Sequence, residues 1–135
     1  MKKKEFNDRV EYYNDNGELH RVDGPAIEYK DGKESWWYIN GNLHRDNGPA
    51  VEYHNNNWWY SCGILHRDDG NPCIEKENGD KHWYINGKRH REDGPACIFS
   101  DGEVEWFLND KRYTKENWER ELIKIKLNRL INYGK

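Results

Sequence analysis

Four histidine–arginine pairs are the residues in this sequence best placed to do chemistry. They are His20-Arg21, His44-Arg45, His66-Arg67 and His90-Arg91, spaced 24, 22 and 24 residues apart. Each arginine is followed two positions later by a carboxylate or amide: Asp23, Asn47, Asp69 and Asp93. A ladder of guanidinium groups at this regularity suits phosphate or carboxylate groups. The four imidazoles also raise the question of a metal. Equivalent positions in successive units of a β array lie ~9–10 Å apart, two strands at ~4.8 Å each, whereas zinc ligands sit ~2.0–2.1 Å from a shared ion. Neighbouring histidines of the column therefore cannot converge on one ion, and His54 and His82 fall outside it. There is also a plainer use for these residues: Asp and Asn bond the backbone of their own turn, arginine's planar fork suits carboxylates of a neighbouring unit, and a feature present in every unit serves the unit. Both readings of the column stand open. For catalysis there is no G-x-S-x-G, no P-loop, and no Cys and His at a family spacing. No catalytic residue, metal or cofactor is expected.

The elements that carry these pairs repeat with them. The segments GELHRVDGPA (17–26), GNLHRDNGPA (41–50), GILHRDDGNPC (63–73) and GKRHREDGPA (87–96) are versions of one motif. Asn40-Gly41 and Asn86-Gly87 are dipeptides of type I′ hairpins, whose two central residues need positive φ. Asp31-Gly32, Asn78-Gly79 and Asp101-Gly102 mark a second turn in each period. Strand-like runs lie between: Ala26–Tyr29, Ser35–Ile39, Ala50–Tyr53, Trp58–Tyr60 and Ala96–Phe99. Proline in the Gly-Pro loop has no N–H to give and breaks the ladder. The expected architecture is mostly β: an elongated single-layer antiparallel meander of stacked hairpins over residues 1–113, with nearest-neighbour contacts.

One aromatic recurs at fixed phase, four residues before the turn glycine or its substitute: Tyr13, Trp37, Trp59, Trp83 and Trp106. These five form the expected structural spine. Successive strand residues face opposite sides, so Trp36, Tyr38, Trp58 and Tyr60 belong to the other face. Trp and Tyr are enriched at binding hot spots, which makes these four, with Arg21, Arg45, Arg67 and Arg91, the candidate binding residues.

Composition agrees with a thin, ring-built core. Hydrophobic residues make up 34% and charged residues 35%, the balance of a disordered chain, yet there are seven Trp, nine Tyr and three Phe. Each ring can bury ~150–250 Å². A net charge of -3 gives no basic footprint for nucleic acid. Lys2-Lys3-Lys4 reads as a solvated tail with no apolar h-region behind it, and no run approaches the ~18–20 apolar residues of a membrane span. Three cysteines without a CxxC pattern suit a reducing compartment, so a cytoplasmic location is expected.

Residues 114–135 change character. Thr114 is a candidate N-cap. Glu116, Glu119 and Glu121 precede Lys124, Lys126 and Arg129, the order that a helix dipole favours. Trp118, Leu122 and Ile125 fall at helical spacing, Ile123, Leu127, Leu130 and Ile131 widen the stripe, and Gly134 is a terminator. An amphipathic helix is expected, either as a cap on the last sheet edge or as an interaction or dimerisation element.

The period near 23, the hairpin per period and the G-x-L-H-R-x-D-G-P-A signature resemble the MORN-repeat family, in particular divergent variants of viral and bacterial proteins. The resemblance spans roughly residues 6 to 113. It implies an elongated sheet with a scaffolding or ligand-binding role and no catalytic residue to carry over. The expected function is protein–protein interaction through the aromatic face, in the manner of a phage- or virus-encoded inhibitor of a host factor, with a homodimer through the helix or that face as one form of it. The alternative is a protein that sequesters an anionic nucleotide between Arg and aromatic side chains.

Overall fold

The computed structural model describes residues 1–133; Gly134 lies outside the described residues. The chain opens with a hairpin of β1 (Lys2–Glu5) and β2 (Arg9–Tyr13). The next period supplies β3 (Ile27–Tyr29) and β4 (Glu34–Trp36), then a small hairpin of β5 (Tyr38–Ile39) and β6 (Asn42–Leu43). The pattern recurs as β7 (Val51–Tyr53), β8 (Asn56–Trp58), β9 (Tyr60–Ser61) and β10 (Ile64–Leu65). It recurs again as β11 (Ile74–Glu75), β12 (Lys81–His82), β13 (Tyr84–Ile85) and β14 (Lys88–Arg89). The last period has β15 (Cys97–Ile98), β16 (Val104–Leu108) and β17 (Lys111–Tyr113), followed by helix α1 (Lys115–Tyr133).

Eleven strands form one antiparallel sheet in the order β1-β2-β3-β4-β7-β8-β11-β12-β15-β16-β17. Each strand pairs only with its neighbours, the sheet does not close into a barrel, and the outer edges are β1 and β17. Lys2-Lys3-Lys4 is thus an edge strand rather than a loose tail, and its lysines are the residues that discourage edge-to-edge pairing.

Each period holds two hairpins, where the sequence pattern suggested one. The run through Trp36-Trp37-Tyr38 is not a continuous strand: β4 ends at Trp36, and the chain resumes after Trp37 as the small hairpin. Backbone pairing continues across the break. Trp37 N donates to Ala50 O at 2.7 Å, Trp59 N to Cys73 O at 2.8 Å, and Trp83 N to Ala96 O at 2.8 Å. Ala26, Ala50, Cys73 and Ala96 are the most buried points of the array, where only a small side chain fits.

The small-hairpin turns have the left-handed backbone that type I′ requires. Asn40 and Gly41 have φ of 46° and 76°, and Cys62-Gly63, Asn86-Gly87 and Asn109-Asp110 repeat the pair. Asp110 takes a position that the other units give to glycine, and its carboxylate accepts from Arg89 N at 3.0 Å and Arg89 Nε at 2.9 Å.

Helix α1 is capped as its sequence implies: Asn117 N donates to Thr114 Oγ1 at 3.2 Å. Trp118 and Leu122 are buried against Leu108, with Trp106, Tyr113 and Ile125 around them. The helix therefore seals the end of the array on the face that carries Trp106.

Candidate functional site

The His-Arg column is used up within the array. Each histidine presents Nδ1 to the next unit's turn: it accepts from Asn40 N (His20), Cys62 N (His44), Asn86 N (His66) and Asn109 N (His90), at 3.0 to 3.1 Å. The second turn residue donates back as well, Gly41 N to Leu19 O, Gly63 N to Leu43 O, and Gly87 N to Leu65 O, at 2.8 to 2.9 Å. The acceptor role leaves the proton on Nε2, which in His44 meets Asp46 at 2.8 Å and in His90 meets Glu92 at 3.0 Å.

Each arginine lies over the ring of its own unit: Arg45 over Trp37 at 4.0 Å, Arg67 over Trp59 at 3.9 Å, Arg91 over Trp83 at 3.8 Å, and Arg21 over Tyr12 at 4.2 Å. Nη1 donates to the loop proline carbonyl, from Arg45 to Pro49 O at 3.1 Å and from Arg67 to Pro72 O at 2.8 Å. Carboxylates complete the shell: Glu28, Glu52 and Glu75 pair with Arg21, Arg45 and Arg67, and Asp23, Asp69 and Asp93 pair with Arg21, Arg67 and Arg91. The loop glycine follows from this geometry. A Cβ on Gly24, Gly48 or Gly94 would stand 2.7 to 2.9 Å from the guanidinium carbon beneath it. The glutamates could have been found in the sequence, since each follows its arginine by seven residues, or by eight where Asn71 lengthens the loop.

Two corrections to the spine follow. Tyr12, not Tyr13, occupies the first ring position: Tyr12 N bonds Ala26 O, His20 N bonds Tyr12 O, and Arg21 stacks on Tyr12. The first turn is one residue longer than the others, so counting back from Gly17 lands one residue late. Tyr13 instead bonds Glu11 and bridges Leu19. Nor is the spine continuous. Among the described residues no ring of the column contacts another; each has its own arginine, and Trp106 has Trp118 at 4.6 Å between centroids. The position that His-Arg would fill after Trp106 holds Tyr113-Thr114, and the helix supplies the cover.

The opposite face carries the other candidates. Across the sheet the register runs Glu11, Ile27, Trp36, Val51, Trp58, Ile74, His82, Cys97, Glu105. Trp36 and Trp58 therefore flank Val51, and with Leu43, Tyr53 and Tyr60 they line a shallow apolar cavity of about 310 Å³. Tyr38 lies beside it; burial, then the neighbouring Tyr60, raises its phenol pKa, and burial likewise raises Tyr60. Val51, Leu43 and Tyr53 were not singled out in the sequence, although Val51 and Tyr53 alternate onto this side by strand parity. The floor fades along the array, with His82 and Glu105 in the positions of Trp36 and Trp58. The helix does not reach the floor, because it packs beside Trp106 on the other side.

Of the thiols, burial pushes Cys73 up to about 12 and Cys97 up to about 11, whereas Cys62 is exposed. No group of three or more His, Cys, Asp or Glu among the described residues could hold a metal ion, and no described helix is long and apolar enough to cross a membrane. Comparison with family models, curated proteins and solved structures returns no match to this chain.

Proposed function

We propose that the chain is a non-enzymatic, MORN-like binding module that holds another protein against the face carrying Trp36, Tyr38, Trp58 and Tyr60. The observation that carries this reading is the Trp36–Val51–Trp58 floor, an apolar concavity on an open single-layer sheet that the chain's own helix leaves uncovered. Contiguous exposed apolar surface marks interaction sites, and large rings around an aliphatic floor are what binding hot spots are made of. The arginine column lends little support to nucleotide capture, since each guanidinium is already bound by a carboxylate, a carbonyl and a ring. A cytoplasmic setting accords with three unpaired cysteines. Antagonism of a host factor is the role that the repeat resemblance implies.

The test is capture of a partner from cell lysate by the immobilised protein. Trp36→Ala with Trp58→Ala, checked for retained fold by circular dichroism, is expected to lower capture by a factor of ~30 or more, the size of a hot-spot loss. Capture equal to wild type would sink the proposal.

A further inference from the structure

Helix α1 has a second apolar stripe that its docking leaves unused. At about 100° per residue, Trp118, Leu122, Ile125 and Arg129 share the side that meets the sheet, where Arg129 forks onto Glu92 at 2.8 and 2.5 Å. Ile123, Leu127, Leu130 and Ile131 fall on a separate side and are 59%, 53%, 72% and 59% exposed. The same chain therefore carries two uncovered apolar surfaces, this stripe and the Trp36–Val51–Trp58 floor. They cannot meet within one molecule. The helix is anchored beside Trp106 on the opposite side of the sheet, and β17 lies five strand steps from β8, or ~24 Å at ~4.8 Å per step.

Charge is segregated along the same division. The segment 122–133 contains Lys124, Lys126 and Arg129 and no carboxylate. With an overall charge of -3 and +3 in that segment, the rest of the chain stands at -6. Lys126 and Lys124 border the stripe on its two sides, so two helices laid stripe to stripe would bring lysines together. The rim of the floor carries one carboxylate, Glu34, which pairs in register with Tyr53 and meets His54 Nε2 at 3.2 Å.

We infer that the floor receives the C-terminal helix of a second copy of this chain, the stripe Ile123–Leu127–Leu130–Ile131 seating over Val51 between Trp36 and Trp58. The inference rests on the floor being a binding surface, as proposed above, and it names the occupant. The interface joins two different surfaces, so it closes into a pair if exchanged reciprocally and extends into a chain if not.

Light scattering and sedimentation of the full-length protein up to roughly 100 µM, a range that reaches weak self-association, test it. Concentration-dependent mass growth that weakens as salt is raised is expected. Leu130→Glu and Tyr53→Lys, both at exposed positions, are each expected to weaken association at least tenfold with circular dichroism unchanged. The deciding step is mixing: the Leu130→Glu chain keeps its floor and the Tyr53→Lys chain keeps its helix, so the mixture is expected to associate where neither variant does alone. A wild type that stays monomeric throughout, or a mixture as monomeric as its components, would overturn the inference. If the wild type is monomeric while Trp36→Ala with Trp58→Ala still loses a lysate partner, the floor binds a different protein and only the second-copy occupant is discarded.

Discussion

Replacing Arg67 distinguishes a structural column from a ligand-binding one. Its guanidinium stacks on Trp59 at 3.9 Å, donates to Pro72 O at 2.8 Å, and pairs with Asp69 at 2.8 Å and Glu75 at 3.3 Å. The stacking is worth ~0.5–2 kcal/mol, the carbonyl bond ~0.5–1.5 kcal/mol, and each half-exposed ion pair ~0.2–1 kcal/mol. Arg67→Ala should therefore cost about 2–4 kcal/mol, a large share of the ~5–15 kcal/mol that holds a domain together. At roughly 4 °C per kcal/mol for a chain of this size, the midpoint should fall by about 8–16 °C in a thermal melt followed by far-ultraviolet dichroism. Arg67→Lys keeps the charge but loses the flat fork, and should recover less than half of the loss. A wild-type melting point for Arg67→Ala, or full recovery by Arg67→Lys, would refute the assignment and return the column to the surface as free charge.

Three further outcomes are expected. Gly48→Ala should destabilise by about 1–3 kcal/mol in the same melt, the usual range for overpacking, because the new methyl meets the Arg45 guanidinium. Trp118→Ala should cost about 3–5 kcal/mol, as large buried rings do, and limited proteolysis should then cleave within 115–133 before the sheet. Acid should loosen the helix as well. The Arg129 fork, and secondarily His90, holds the Glu92 carboxyl down to about 2, so its contribution is complete above the ordinary carboxylate range and is lost as pH falls through that range toward 2. Dichroism and protease sensitivity at pH 2–5 should show this in wild type and not in Glu92→Gln.

The fold was readable from the sequence because its signals are local. Asn-Gly pairs fix positive φ, the Gly-Pro loop ends each ladder, and the periodicity repeats both, so a mostly β antiparallel meander with one terminal helix followed from short-range patterns. What escaped was set by contacts between units. The strand break at Trp37 leaves no mark in composition, because Ser35–Ile39 is as strand-like as any run in the chain. The role of His44 depends on a backbone N–H eighteen residues away, at Cys62. Counting back from Gly17 puts the first ring at Tyr13 rather than Tyr12, because a one-residue turn extension shifts parity, and parity decides the face. On the candidate surface, Trp36 and Trp58 were legible as a pair, but the Val51 between them emerges only from cross-strand register.

Both amides of each small turn are given to the unit before it, so every seam in the array uses the same bonds whichever units it joins. A stretch of one period is in that sense a cassette. In-frame duplication or loss between Gly41 and Gly87 leaves no donor stranded, and changes the reach of the protein in increments of ~10 Å. The terminal helix would stay on Trp106, whose unit ends the array in every such variant.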